Sequence, residues 1–297
     1  MADEMQLLER KMKQIKISKK TPTAAPPKPT KTQSKTQPKT QPPKAPPKAP
    51  PKAPPKAPPA PPAVIIDNKA KILTEDLGKK FEMAICLTYD IEYDGRYKYD
   101  MEEPLLLKER LKKLPELFPK CIHTAKRGSQ YDFTASDNKE LHLSAKTTKG
   151  DNKVCAQVIG QPTRNKFCEF FKLDAKTNNI DIKKYIQNNV KTMLKSYDFY
   201  TFDCPMIYYN KKTGSLQYIT KIKDIEWHKY TFDFSHLHNK KNNYEWKESS
   251  SLYLLENNKK ITIGEFQIQN HRDSIKFRWS FINLLKIFSE HFEIIKL

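Results

Sequence analysis

Most of this sequence predicts an α/β or α+β domain, a mixed β-sheet flanked by helices, and three observations predict it. Segments with helical and strand-like apolar patterns follow one another along residues 64 to 297 in the order helices, strands, helix, strands, which suits a layered domain. Two of those segments alternate strictly: Leu141, Leu143 and Ala145 against His142, Ser144 and Lys146, and Ile275, Phe277, Trp279 and Phe281 against Lys276, Arg278 and Ser280. That is the period of a half-buried strand. Finally, residues 1 to 63 contain no Phe, Tyr or Trp and repeat Pro-Pro-Lys-Ala four times between Pro42 and Ala57. Such a segment cannot bury enough apolar surface to offset chain entropy, so it is expected to be a disordered, polyproline-like basic tail. The roughly 230 residues left suit one domain.

Within the tail, Met5, Leu8, Met12 and Ile15 could line one stripe of a short, frayed helix over Met5 to Ile17. The first helix of the domain is expected over Thr74 to Tyr89, with Leu77, Phe81, Ile85 and Thr88 on one face. Tyr93 to Tyr97 reads as a turn, and Glu102 to Leu117 as a second helix stopped by Pro119. A hairpin spans Tyr131 to Thr147, and Lys149 to Asn152 forms a turn. Val154 to Ile159 fits a strand or a short helix equally well. Ile180 to Tyr197 is amphipathic, with Ile182, Ile186, Val190, Met193 and Leu194 on one side. Met206 to Tyr209 and Leu216 to Ile219 flank a turn-forming Asn210-Lys211-Lys212-Thr213-Gly214, which predicts a hairpin. A further strand pair is expected over Lys260 to Ile268 and Ser274 to Phe281, then an apolar helix from Leu284 to Ile295.

The hairpin from Tyr131 to Thr147 carries the chemistry. Alternation places Ser144 and Lys146 on one face, and Asp132 on the preceding strand could face them. A carboxylate that holds Mg²⁺, with a lysine that aids the attacking water and offsets charge on the phosphorane, is what a metal-dependent phosphodiesterase needs. This hairpin resembles the core of the PD-(D/E)XK nucleases, and type II restriction endonucleases in particular. Three other segments are similar to parts of that family: Gly78 to Ala84, like its first helix; Lys153 to Pro162, like the segment after its lysine; and Gly264 to Trp279, like a carboxy-terminal hairpin. The likeness runs over about residues 70 to 297 through short motifs. The proline-lysine repeats are similar to those of large algal DNA viruses.

Two departures from the family pattern stand out. Tyr131 precedes Asp132 where the family has proline, and Ser144 stands where it usually has Asp or Glu. The resemblance implies that a second metal carboxylate comes from elsewhere. Glu82 on the first helix is the expected donor, and Glu169 a poorer one. The expected catalytic set is therefore Asp132, Lys146, Glu82 and Gln157, with Mg²⁺ on Asp132 and Glu82. Gln157 would bind a metal-held water or the phosphate, and Ser144 would lie against the DNA. Lys276 and Arg278 project together from the last hairpin, with His271 and Arg272 at its turn and Gln267 beside them. A two-stranded ribbon of this kind fits the major groove, so these five are expected to contact DNA.

Composition sets the remaining limits. The net charge is +20, with 14 Lys or Arg against 3 Asp or Glu in residues 1 to 63, which leaves the body at about +9. A basic body favours a polyanionic partner, expected to be double-stranded DNA bound by a homodimer. The five cysteines include no C-x-x-C pair, which disfavours structural zinc and suits reduced thiols inside a cell. No signal core or run of about 20 apolar residues appears, so a membrane or secreted role is disfavoured. All seven glycines stand alone, so there is no Gly-rich phosphate loop. His236 and His238 lack a third ligand, and an HNH nuclease would need a better His/Asn cluster than they and His228 supply. The rival readings are a DNA-binding protein of the same fold without catalysis, motivated by Ser144, and a packaging protein that uses charge alone.

Overall fold

The computed structural model describes residues 74–125, 129–150, 152–242 and 244–297, all within the unit Asp67–Leu297. The expected tail and its helix over Met5 to Ile17 lie outside the described residues. The fold is α+β, with helices flanking two sheets rather than the single mixed sheet expected.

Helix α1 (Thr74–Tyr89) buries Leu77, Phe81 and Ile85, as its stripe requires. The second expected helix is two: α2 (Glu102–Arg110) and α3 (Leu114–Leu117). Pro115 explains the break. It has no N–H to give to the carbonyl of Leu111, and it stands in the first turn of α3, where no intrahelical N–H is needed. Strands β1 (Cys121–His123), β2 (Phe133–Ala135) and β3 (His142–Thr148) follow as an antiparallel meander. After the short β4 (Lys153–Cys155) come α4 (Arg164–Phe171) and α5 (Asn179–Phe202). The Asn178 side chain caps α5 by accepting from the N–H groups of Ile180 and Asp181. The chain then enters β5 (Met206–Asn210), parallel to β3, and β6 (Ser215–Lys221), antiparallel to β5.

The second sheet is built from β7 (Thr231–Phe234), β8 (Ser249–Glu256), β9 (Lys259–Ile268) and β10 (Ile275–Ser280), with β4 beside β10. Helix α6 (Phe281–Ile287) is shorter than expected, because the chain turns and forms β11 (Phe292–Lys296). β11 pairs with β6, setting Ile294 opposite Ile219, and completes the six-stranded order β1-β2-β3-β5-β6-β11. β-branched Ile294 and Ile295 suit a sheet edge better than a helix.

Each face of the six-stranded sheet has its own core. On one, Leu77, Phe81 and Ile85 of α1 pack with Phe133, Leu143 and Ile207. On the other, Ile182, Ile186 and Met193 of α5 pack with Met206, Tyr208 and the second sheet. Each fully buried side chain of this size is worth about 1.5–3 kcal/mol of transfer free energy, so both helices are fixed against their faces.

Candidate active site

Which face a strand residue occupies decides which functional groups can meet. β2 pairs with β3 with Phe133 opposite Leu143, and both belong to the α1-side core. Their neighbours Asp132 and Ser144 therefore lie toward the other side. Parallel pairing sets Ser144 beside Met206 and Lys146 beside Tyr208, and both partners belong to the α5-side core.

Asp132 stands just before β2, where β3 runs on without a partner from β2. Its Oδ2 accepts the backbone N–H of Ala145 at 2.7 Å and the hydroxyl of Ser144 at 3.3 Å. The Lys146 ammonium lies 3.9 Å from the same oxygen. The side chains of Asp132 and Lys146 keep 21% and 23% exposure, so a substrate can reach both. Ser144 is fully buried, and its amide donates to the carbonyl of Pro205 at 3.0 Å, which pins β3 to the start of β5.

Gln157 joins this group from the turn after β4. Its amide nitrogen donates to Ser144 Oγ, and its backbone N–H donates to the carbonyl of Tyr200 at 3.1 Å. The side-chain oxygen of Gln157 is buried and has no hydrogen-bond partner. A buried amide oxygen in that state costs free energy unless a further group meets it. The turn itself is tight. Val158, a β-branched residue, holds a φ of 57°, and a Cβ on Gly160 would come 2.2 Å from the carbonyl oxygen of Ala156. Positive φ at valine is a strained conformation that persists only where its surroundings impose it.

The donor set suits Mg²⁺. Among the described residues no three His, Cys, Asp or Glu side chains gather into a metal cluster. Mg²⁺ does not require one, since it is commonly held by one or two carboxylates, waters and substrate phosphate oxygens. Asp132 and the unpartnered Gln157 oxygen are hard donors of that kind.

Glu82 does not join them. It sits on α1, on the opposite face of the sheet, 3.1 Å from the Lys79 ammonium and 3.3 Å from the Tyr93 hydroxyl. His123 Nε2 lies 3.3 Å from Glu82 Oε2, off the line of a good hydrogen bond. Asp94 N–H donates to His123 Nδ1 at 2.9 Å, which holds the ring beside the carboxylate. Burial pushes the Glu82 carboxyl up, but His123 and Lys79 outweigh it and hold it below its usual range. The second carboxylate expected beside Asp132 is thus spent in a closed cluster elsewhere. Glu169 is exposed on α4 and shares no hydrogen bond or ion pair with Asp132.

The expected DNA-contacting ribbon takes a different form. β9 and β10 do pair, with Lys276 opposite Gln267 and Arg278 opposite Glu265, and Ile275, Phe277 and Trp279 are buried. β10 is flanked on its other side by β4, however, and β9 by β8. Strands hydrogen-bonded on both sides cannot enter a groove as a free two-stranded ribbon. Arg278 is 3.3 Å from Glu265, which also pairs with Lys153 and accepts from Gln267. Lys276 is half-buried on that polar face, while His271 and Arg272 are exposed at the β9–β10 turn. Because Arg278 is opposite Cys155, the polar face borders the strand that leads to Gln157.

Other candidate chemistries resolve into structure. His236 is buried between Ser250 and Gln187 and stacks on Trp246. His238 shares Asp233 with Lys260. All five cysteines are free, and burial pushes the Cys86 and Cys121 thiols up to about 12, which keeps them protonated. Among the described residues no helix is long and apolar enough to cross a membrane.

Sequence reasoning missed Asp203, Tyr131, Gln130 and His142. The Tyr131 hydroxyl donates to Asp203 Oδ2 at 2.8 Å, and Gln130 Nε2 donates to the same oxygen. Burial raises the Asp203 carboxyl above its usual range despite these bonds. Tyr131 also stacks on His142, ring centroids 3.8 Å apart and 6° from parallel. Tyr131 and Asp203 are 72 residues apart, and no spacing or periodicity links them.

No family model matches this chain, and no solved structure matches it. Among curated proteins it is 45% identical over 229 residues to the type II restriction enzyme CviAII of Paramecium bursaria Chlorella virus 1. That match covers 77% of this chain and 64% of CviAII, so the chain spans just under two thirds of the relative it resembles.

Proposed function

We propose that this chain is a Mg²⁺-dependent, sequence-specific DNA endonuclease of the type II restriction kind, with a PD-(D/E)XK-like core, acting on double-stranded DNA as a homodimer. The observation that carries this reading is the convergence of Asp132, Ser144, Lys146 and Gln157 at the point where β2 and β3 part. Similarity to an enzyme named for that activity supports it.

Asp132, with the Gln157 oxygen, would hold the Mg²⁺, which supplies charge neutralisation and makes water a better nucleophile at neutral pH. The Ala145 N–H and the Ser144 hydroxyl fix the carboxylate of Asp132, leaving its other oxygen for the site. Gln157 donates to Ser144 and so keeps that hydroxyl aimed at Asp132. Lys146 would orient the attacking water and offset the negative charge that grows on the phosphoryl oxygens. Water attacks phosphorus, the P–O3′ bond breaks, and the 3′ oxygen leaves as a hydroxyl, with phosphate retained on the 5′ end.

His271, Arg272 and Lys276 would contact DNA beside the site, with Gln267 next to them, whereas Ser144, expected to lie against the DNA, is fully buried and can only orient Asp132. Arg278 would serve them through Glu265 rather than by free reach. Residues 1 to 63 would add non-specific affinity, so their deletion should leave the sequence preference intact and make the salt dependence of binding shallower. The protein would act inside the host cell or be carried in the virion.

The test is incubation of DNA of known sequence with the purified protein and Mg²⁺. Discrete fragments with a common end sequence are expected. Intact DNA across Mg²⁺ and Mn²⁺, with binding retained, would favour the non-catalytic DNA-binding reading, and a smear would remove sequence specificity.

A further inference from the structure

We propose that Tyr131 is a positioning residue for Asp132 and that Asp203 is its anchor, an inference that rests on the nuclease reading above. Asp132 lies outside regular strand structure, because β2 begins at Phe133. Something must hold the backbone that presents it. In the family this chain resembles, a proline precedes that aspartate. Proline limits the local backbone through its fixed φ, and tyrosine has no such limit.

The Thr124 N–H holds the Asp132 carbonyl at 2.8 Å, and the Thr124 and Ser129 hydroxyls donate to the Tyr131 carbonyl; the side chain of Tyr131 adds a restraint toward β3 and the end of α5. Its ring lies flat on His142, which sits on β3 two residues before Ser144, and His142 is tied in turn to Thr134 at 3.1 Å. Its hydroxyl is bound to Asp203, and Gln130 binds the same carboxylate oxygen. Asp203 follows the last residue of α5 and stands two residues before Pro205, whose carbonyl accepts from Ser144. The circuit is closed: Asp132 to Ser144, Ser144 to Pro205, along the chain to Asp203, across to Tyr131, and back to Asp132. Each member is fixed by two others, and the end of α5 is joined to the aspartate. Partners that orient a metal-binding side chain typically matter by about 10–100-fold in activity or metal affinity when removed, a misplacement of about 1 Å being enough to cost on the order of 100-fold.

The experiment uses the full chain as wild type, Tyr131→Phe, Asp203→Asn, Asp203→Ala and the double variant Tyr131→Phe/Asp203→Ala. Four quantities are read: amide hydrogen exchange over residues 129–135, single-turnover cleavage with Mg²⁺, DNA affinity in Ca²⁺, and melting temperature. Tyr131→Phe keeps the stacked ring and loses only the hydroxyl. It should speed exchange in the segment and slow cleavage about 10–100-fold, with DNA affinity and melting temperature little changed. Asp203→Asn still accepts from both donors and should lose less than Asp203→Ala. The double variant should be no slower than Asp203→Ala, because both changes break one bond. The proposal is overturned if Tyr131→Phe leaves exchange and cleavage at wild-type values. It is also overturned if the single effects add, or if Asp203→Asn is as slow as Asp203→Ala, which would give the Asp203 charge its own role. If wild type cuts no DNA with any divalent metal, the nuclease reading fails, and exchange over 129–135 alone decides the clamp.

Discussion

The two faces of the six-stranded sheet each carry an acid near a lysine, and the two pairs have opposite characters. On the α1 face Glu82 is closed in: its side chain is 11% exposed, that of His123 1%, and Lys79 and Tyr93 complete its partners. On the α5 face Asp132 and Lys146 remain open to solvent, Gln157 keeps a buried oxygen without a partner, and Val158 holds a strained backbone. A closed cluster whose carboxylate is paired on several sides stabilises a fold, whereas an acid and a lysine left open to solvent beside local strain are suited to a ligand. Residue type alone does not separate the two. What separates them is whether the acid and its lysine remain within reach of something outside the protein.

The largest expected effect lies on the open face. Lys146→Ala and Asp132→Asn should each slow single-turnover cleavage by on the order of 10²–10³ or more, since each removes a preorganised electrostatic group or a metal donor. DNA affinity measured in Ca²⁺ should survive. Wild-type cutting by either variant would break the comparison at its centre. Gln157→Ala should cost less, about 10–100-fold in cleavage or in the Mg²⁺ concentration needed for half activity; no change in either quantity would remove Gln157 from the site.

On the closed face the effect should appear in stability. Glu82→Gln is expected to destabilise the fold by about 1–3 kcal/mol, the usual range for hydrogen bonds to a buried charged group, as read by chemical denaturation at pH 7. The pH dependence follows from the lowered carboxyl of Glu82. A carboxyl whose folded pKa is depressed stabilises fully above its unfolded value, and that stabilisation is lost as pH falls through the folded value. The gap between wild type and Glu82→Gln should therefore be full at pH 7 and shrink as pH drops below about 4.5, the ordinary glutamate value. A gap that widens as pH falls below about 4.5 would contradict the ionised state of Glu82. The smallest effect is at the strained turn. Val158 is 59% exposed, so Val158→Asn removes little packing and should stabilise by about 1 kcal/mol, by letting a residue that tolerates positive φ occupy the position. A lower melting temperature would show that the turn carries no strain.

Much of the fold is legible in the sequence because it is written locally. The stripe Leu77, Phe81 and Ile85 and the stripe Ile182, Ile186 and Val190 are buried in α1 and α5 as periodicity requires. The alternation in β10 separates buried from half-buried residues, and that in β3 places Ser144 with Lys146 on one face; but β3 is covered on both faces, so Ser144 is as buried as Leu143 and the strand is not half-buried as expected. Other features depend on distant chain. β11 exists because β6 offers an edge to Ile294 and Ile295, and an apolar run alone reads as helix. Glu82 is expected beside Asp132 from the resemblance, which places an acid of the first helix near the metal where Ser144 replaces the usual one, yet the face it occupies is set by where α1 docks. Asp203 enters only because α5 runs five residues beyond Tyr197 and delivers its end to Tyr131. In the second sheet the alternation of Lys276 and Arg278 was readable, but the presence of β4 beside β10 was not, and that neighbour turns an expected ribbon into a sheet interior.

The most direct measurement is single-turnover cleavage by Asp132→Asn and Glu82→Gln side by side, with Mg²⁺, on DNA to which both variants bind equally in Ca²⁺. Asp132→Asn should be slowed by on the order of 100-fold or more, while Glu82→Gln, below its own melting temperature, should cut within a few-fold of wild type. Equal loss in the two variants would place Glu82 in the chemistry and contradict the assignment of cleavage to the α5 face.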